Sequence, residues 1–129
     1  MPEHGIIYRL DPYSRDKGSE MFHAGWDNQE HQVFEKVCIN EEEVIQLEKL
    51  IRKSVTFIYD LELCGHTPPY GVELYNDDHC YFRSSFCFAC QNWINYSKGK
   101  YSRFYLEDQG LFKKLQELIP LPEKTNNKA

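Results

Sequence analysis

The stretch from Val72 to Phe88, VELYNDDHCYFRSSFCF, decides the fold of this chain. It contains a run of turn-forming residues, Asn76-Asp77-Asp78-His79, with apolar and polar residues alternating on either side. We therefore predict a central β-hairpin that pairs Val72 to Tyr75 with Cys80 to Phe88. In the returning strand, alternation places Cys80, Phe82, Phe86 and Phe88 towards the core and Tyr81, Arg83, Ser85 and Cys87 on a mixed face.

Three shorter segments predict further strands around this hairpin. Ile6 to Leu10 is rich in β-forming residues and ends at a turn signal, Val33 to Ile39 alternates, and Tyr101 to Leu106 is expected to form a third antiparallel strand. The polar segment from Tyr13 to His31 has only isolated apolar residues, which predicts a long loop. We expect the histidines of these polar segments to be solvated, namely His23, His31 and His79.

Asn40 begins the clearest helical pattern. Its side chain can cap a helix, and Glu43 can reach back to complete a capping box. Apolar residues then recur every three or four positions, which predicts a long helix over about 41–60. This apolar stripe consists of Val44, Leu47, Ile51, Val55 and Ile58.

A second helix is predicted over about 109–119, because Asp108 can cap it and Pro120 stops it. The predicted fold class is therefore α+β: an antiparallel sheet with a central hairpin and both helices packed on one face. We expect a single globular domain over residues 1–122, followed by a disordered tail over 123–129.

Composition excludes several classes of function. Of the 129 residues, 41% are hydrophobic and 27% charged, as in soluble globular proteins. The formal net charge is −5 and no basic patch occurs, so a nucleic acid partner is not expected. No apolar run is long enough to span a bilayer, so membrane insertion is not expected either. A basic protein partner suits this charge better.

Two observations bear on the cellular compartment. The start Met1-Pro2-Glu3-His4 lacks the charged and apolar regions of a secretion signal. Five cysteines are an odd number, so one stays unpaired even if the others form disulfides, which favours a reducing compartment. We expect a cytoplasmic location.

Four potential metal ligands lie close together in sequence: Cys64, His66, Cys87 and Cys90. Their donor types suit tetrahedral zinc, although a regular strand would point Cys87 and Cys90 to opposite faces. Three interpretations stay open: a zinc site, a disulfide from Cys64 to Cys87 or Cys90, and buried thiols, which are the simplest. A thiol activated by His66 is a further alternative.

Two resemblances add to this pattern. The segments CGHTPPYGV, starting at Cys64, and SFCFACQN, starting at Ser85, resemble a pattern in small uncharacterised bacterial proteins. This resemblance implies that Cys64, Cys87 and Cys90 act as a set, and it implies no activity. In its acidic, tyrosine-rich composition the chain is also similar in character to immunity proteins, which neutralise bacterial toxins.

The leading hypothesis is a non-catalytic protein-binding module, namely an immunity or inhibitor protein that neutralises a bacterial toxin. No phosphate-binding glycine loop, G-x-S-x-G elbow or H-E-x-x-H pair occurs, so we expect no enzyme activity and no cofactor other than the zinc considered above. The alternatives are a small zinc-binding domain and a thiol-dependent enzyme or redox protein. The candidate contact residues are Trp26, Tyr75, Asp77, Asp78, Trp93 and Tyr96, and core packing is the simpler role for Trp93.

Overall fold

Seven strands form one antiparallel sheet that curves into a half-barrel. The computed structural model describes residues 3–13, 18, 20–23, 30–55, 68–97, 99–106 and 109–121. The strands are β1 (Glu3–Leu10), β2 (Met21–His23), β3 (Glu30–Ile39), β4 (Tyr70–Asn76), β5 (His79–Cys87), β6 (Asn92–Ser97) and β7 (Lys100–Tyr105). The helices are α1 (Glu41–Ile51) and α2 (Gln109–Leu118). The strand order is β2-β3-β1-β4-β5-β6-β7.

The predicted α+β class with a long helix is wrong, because the fold is mostly β with two short helices. Helix α1 has 11 residues and ends at Ile51 instead of continuing to 60. After Ile51 the backbone tightens: the Ser54 amide donates to the Ile51 carbonyl, three residues back, at 2.9 Å. Ser54 is buried, and its own carbonyl accepts the indole N–H of Trp93 at 2.7 Å.

The remaining predicted stripe therefore does not extend α1. Val55 is 54% exposed, and Ile58 lies outside the described residues, as does the predicted tail over 123–129. The start of the helix follows the capping-box pattern: Asn40 Oδ1 accepts from the Glu43 amide at 2.9 Å, and Glu43 Oε1 accepts from the Asn40 amide at 3.1 Å.

The hairpin β4–β5 turns at Asp77 and Asp78 and contains one irregularity. Leu74 pairs with Phe82 but Tyr75 pairs with Cys80, so Tyr81 is an extra residue in β5. This bulge moves Cys80 to the face opposite Phe82, which corrects the prediction that the two share a face.

The two faces of the sheet differ in composition. On the helix face, α1 and α2 cover a large core that includes Ile7, Val72, Phe86 and Trp93. The opposite face carries a smaller apolar cluster of Tyr8, Leu10 and Phe22, packed against Tyr96 and other half-buried residues. We call this second face the tyrosine face, after Tyr8, Tyr75, Tyr96 and Tyr101. In the part of the chain described, no helix has the length and apolar character needed to cross a membrane.

Candidate functional site

A buried carboxylate, Glu73, lies at the centre of the tyrosine face. The residue is only 5% exposed. Its Oε1 accepts hydrogen bonds from the Tyr8 hydroxyl at 2.6 Å and the Tyr75 hydroxyl at 2.9 Å. Its Oε2 accepts from Arg83 Nε at 2.8 Å. Burial of a charged group is tolerated when the group is paired and hydrogen-bonded, and Glu73 meets both conditions.

Strand register brings this network together. Glu73 pairs directly with Arg83 of β5, and Gly71, two residues earlier, pairs with Tyr8 of β1. Position 71 requires glycine because the Phe22 ring lies close to the backbone there, and a Cβ atom would be 2.7 Å from its ring atoms. Phe22 thus packs over the backbone of β4 and against Tyr8, with ring centroids 4.9 Å apart.

The electrostatics of the network keep its donors protonated. Burial, and then the Glu73 carboxylate, raise the pKa of Tyr8, and the same causes in the same order raise the pKa of Tyr75 to about 12. Burial is the largest single effect on Arg83 and lowers its pKa, but Glu73, Cys80 and Tyr75 together outweigh it and the net direction is upward. Both tyrosines therefore stay neutral donors and Arg83 stays charged at physiological pH, which suits a structural or binding role better than proton transfer.

A pocket of about 280 Å³ opens beside this network. It is lined by the first residues of β5 (79–83) and by Tyr96 and Ser97 at the end of β6. Tyr81 is fixed at the wall because its hydroxyl donates to Glu48 Oε2 of α1 at 3.0 Å. Arg83 reaches the pocket with its side chain 32% exposed.

The same end of the sheet is acidic. Glu3 pairs with Asn76, and Gly5 pairs with both Leu74 and Ile39, so the β4–β5 turn and the start of α1 lie at one end of the sheet. We define the acidic end by its exposed carboxylates, Glu41, Glu42, Asp77 and Asp78. Lys100, at the start of β7, is a cation at this end. Among the described residues that define this end of the sheet, four exposed carboxylates thus stand against one exposed lysine, Lys100.

A second polar contact links the two edges of the half-barrel. His23 of β2 packs edge-on against Tyr96, with ring centroids 5.4 Å apart. Its Nε2 lies 3.1 Å from the Tyr101 hydroxyl, and its Nδ1 lies 3.7 Å from Glu30 Oε2. The edge strand β2 therefore reaches β6 and β7 through side chains.

Of the three histidines expected to be solvated, one is fully buried and one is half-buried. His23 is held in the contact just described, and His31 of β3 is fully buried. His31 Nδ1 lies 3.0 Å from the Asp11 carbonyl, whereas its Nε2 makes no hydrogen bond to any described residue. His79 is exposed, as expected, although it is the first residue of β5 and not part of a turn.

The five predicted contact residues in the described part of the chain separate into three groups. Asp77 and Asp78 are exposed in the hairpin turn, with Asp77 at a positive φ of 56°. Tyr75 belongs to the Glu73 network, and Tyr96 lines the pocket. Trp93 is 3% exposed and stacks between Phe86 and Phe104, which places it in the core and not at a contact surface. Trp26 lies outside the described residues.

Only half of the predicted metal cluster lies in the described part of the chain. Strand β5 ends at Cys87, and the Cys90 amide donates to the Cys87 sulfur at 3.2 Å in the turn that follows. The regular strand that would separate these two residues is therefore interrupted. Cys64 and His66 lie outside the described residues, among which no group of three or more metal-ligating side chains occurs. The described cysteines, Cys38, Cys80, Cys87 and Cys90, form no disulfide with one another.

Sequence reasoning missed the Glu73 network altogether. The available signal was a charged residue in each of two adjacent apolar strands, Glu73 and Arg83, at positions that a hairpin register can bring opposite each other. Tyr8 carried no such signal, because a tyrosine in a strand is ordinary. In comparisons with known proteins, no family model, no curated protein and no solved structure matches this chain.

Proposed function

We propose that this chain is a non-catalytic protein-binding module that engages a basic protein through the acidic end of its sheet. The observation that carries this proposal is the coincidence, at one end of the sheet, of exposed carboxylates with a tyrosine-walled pocket. In biological terms the proposed role is that of an immunity or inhibitor protein that neutralises a bacterial toxin.

Surface charge and the hydrogen bonding of Glu73 both favour a binding role. Exposed carboxylates attract a basic partner and speed its association, while tyrosine and arginine side chains supply most of the binding energy in many interfaces. The buried ionisable cluster is saturated by its own hydrogen bonds, since both oxygens of Glu73 have donors. The carboxylate of Glu73 is therefore committed to structural hydrogen bonds and is not placed to exchange a proton with a reacting substrate.

Capture from a lysate of the native host tests this proposal. The immobilised protein is compared with the double variant Asp77→Asn/Asp78→Asn, in which Asn tolerates the positive φ of Asp77. We expect wild-type protein to retain a basic protein at low salt and the variant to retain it at least about tenfold less.

A matched control removes two carboxylates elsewhere. The double variant Glu35→Gln/Glu117→Gln changes the net charge equally, at exposed positions on β3 and α2. It should capture the partner nearly as well as wild type. Equal loss in both double variants, or capture of nothing by wild type, rejects the proposal.

Zinc binding is the second candidate, and the Cys87–Cys90 turn favours it. A backbone amide that donates to the first sulfur of a C-x₂-C turn stabilises a thiolate, as a metal ligand requires. Cys64 and His66 would complete the ligand set. Elemental analysis of protein purified without chelators tests this candidate: less than roughly 0.2 zinc per chain rejects it.

The thiol-enzyme alternative gains no support from Cys80, the thiol that lines the pocket. Burial and the nearby Glu73 carboxylate raise the pKa of Cys80, which keeps it protonated and weakly nucleophilic. Measured alkylation by iodoacetamide should therefore be slow at Cys80, and fast labelling there would revive this alternative.

A further inference from the structure

Arg83 is oriented by one bond and has donors to spare. Its Nε donates to Glu73 Oε2 at 2.8 Å. Among the described residues, the guanidinium makes no other hydrogen bond. A guanidinium has five N–H donors, and four of them are on the two terminal nitrogens. Because Arg83 lines the pocket and its side chain is 32% exposed, these terminal groups are accessible to a molecule in the pocket.

The support for Arg83 is rigid. Glu73 is buried and is itself held by two tyrosine hydroxyls, so the carboxylate cannot rotate to follow a mobile arginine. A guanidinium held in one orientation forms paired, parallel hydrogen bonds to a carboxylate at lower entropic cost than a mobile one. The arrangement is therefore preorganised for an anionic group with two oxygens.

The pocket walls select the rest of the ligand. Tyr81, Phe82 and Tyr96 are among the lining residues, and Tyr96 pairs directly with Arg83, so its ring lies on the same face and favours an apolar or aromatic body next to the anionic group. Asp77 and Asp78 are exposed in the adjoining turn and repel any anion, a doubly charged phosphate more strongly than a singly charged carboxylate. A single carboxylate fits this combination, whereas a doubly charged phosphate does not.

We propose that this pocket binds a carboxylate group carried on an apolar or aromatic body, with the terminal nitrogens of Arg83 as its anion-binding donors. The carboxylate can belong to a small organic acid or to a polypeptide, for example a C-terminus or an acidic side chain within an otherwise basic surface. This inference does not depend on the proposed protein-binding function, because a small acid can test it without any partner.

Titration of isotopically labelled protein with benzoate, followed by NMR, is the primary test. Benzamide, the neutral analogue of the same shape, and benzylammonium, its cationic counterpart, are the matched controls. We expect saturable benzoate shifts at Arg83, Tyr96 and Ser97, and affinities for the controls at least tenfold weaker. Equal binding of benzamide, preference for benzylammonium, or benzoate shifts that map elsewhere would overturn the proposal.

Two variants locate the site. Arg83→Gln should weaken benzoate binding at least tenfold, but it leaves Glu73 without its cation and can destabilise the fold. Ser97→Tyr fills the pocket mouth from an exposed position and leaves the Glu73–Arg83 pair intact. It should abolish the benzoate shifts in a folded protein, and retained binding in Ser97→Tyr contradicts the assignment.

Peptides distinguish the two sources of carboxylate. A short peptide that ends in phenylalanine is titrated with a free C-terminus and with an amidated one. Tighter binding of the free acid than of benzoate indicates a polypeptide source, and benzoate binding alone indicates a small acid. If neither benzoate nor the free-acid peptide binds, the proposal is wrong.

Discussion

Glu73 is the residue that organises the tyrosine face. Three donors from three strands, Tyr8, Tyr75 and Arg83, meet at its two oxygens, so one side chain ties β1, β4 and β5 together across their backbone ladders. A buried carboxylate with an arginine partner is not automatically stabilising, because desolvation offsets the attraction. Removal of one partner alone is costly, since the other charge is then buried without compensation.

Glu73→Ala should therefore destabilise the protein strongly. We expect the free energy of unfolding, measured by urea denaturation, to fall by about 3 kcal/mol. The control is Glu48→Ala, which also removes a carboxylate that accepts a tyrosine hydroxyl, but at an exposed contact. It should cost less than about 1 kcal/mol. Similar losses in the two variants would show that the Glu73 network does not stabilise the fold.

His31 predicts a specific dependence of stability on pH. Burial lowers its pKa from 6.5, so below that pH the unfolded chain binds a proton that the folded protein excludes. The contribution of neutral His31 to the free energy of unfolding is therefore complete above pH 6.5 and is lost as the pH falls below that value. The loss at about pH 5.5 is at most about 1.4 kcal/mol.

Replacement of His31 isolates this effect. His31→Asn retains a donor for the Asp11 carbonyl, and its unfolding free energy should fall less between about pH 7.5 and pH 5.5 than that of wild type. His79→Asn removes an exposed histidine and should leave the wild-type dependence unchanged. An identical pH dependence in His31→Asn and wild type would contradict the burial of a neutral His31.

Among the structural elements, α1 shows why an apolar stripe is insufficient to set the length of a helix. The stripe continues through Val55 and Ile58, yet the helix ends at Ile51 because Ser54 turns into the core and its carbonyl bonds to Trp93. Trp93 is 39 residues further along the chain. Local periodicity contains no information about so distant a partner.

Trp93→Phe tests this bond between elements. Phenylalanine keeps an aromatic ring between Phe86 and Phe104 but cannot donate to the buried Ser54 carbonyl. We expect a loss of about 1–3 kcal/mol in the free energy of unfolding. Tyr105→Phe, a loss of one hydroxyl at a side chain that is 46% exposed, should change it by less than about 0.5 kcal/mol. Equal losses of unfolding free energy in the two variants would show that the hydrogen bond from the Trp93 indole to the Ser54 carbonyl does not stabilise the fold.

The strands divide into those that a local pattern predicts and those that it does not. Residue type predicted strands at the segments that became β1 and β7, and alternation predicted β3 and the β4–β5 hairpin. No strand was predicted at β6, where Asn92, Asn95 and Ser97 interrupt the apolar residues, although Asn92 is buried and Asn95 accepts from the Ser84 hydroxyl across the strand pair. Strand β2 has only three residues, so its pairing with β3 is a tertiary contact that sequence pattern cannot reveal.

At the scale of the whole molecule, the candidate site is formed by the register of strand pairing, because its residues are not close together in the sequence. The exposed carboxylates of α1 and of the β4–β5 turn are far apart in the chain, and β1 brings them to one end of the sheet by pairing with both β3 and β4. Asp77, Asp78, Tyr75 and Tyr96 were recognisable in the sequence as single residues. Their arrangement around a pocket depends on long-range pairing, as does the Glu73–Arg83 pair beneath it.

This charge distribution predicts that binding weakens as salt rises. Association with a basic partner should slow when ionic strength is raised from about 0.05 M to about 0.5 M, because exposed charges are screened. The double variant Asp77→Asn/Asp78→Asn should show a shallower salt dependence than wild type in surface-binding kinetics. An unchanged association rate across this range would argue against an electrostatic contact.

Mapping the surface that a captured partner covers is the most direct test of the proposed function. Amide NMR shifts of labelled protein, recorded with and without the partner, identify the contact residues. The proposal predicts that the largest changes cluster at Asp77, Asp78, Tyr81 and Tyr96. Changes confined to the exposed side of α2 or to the outer residues of β3, with the acidic end unaffected, would contradict it.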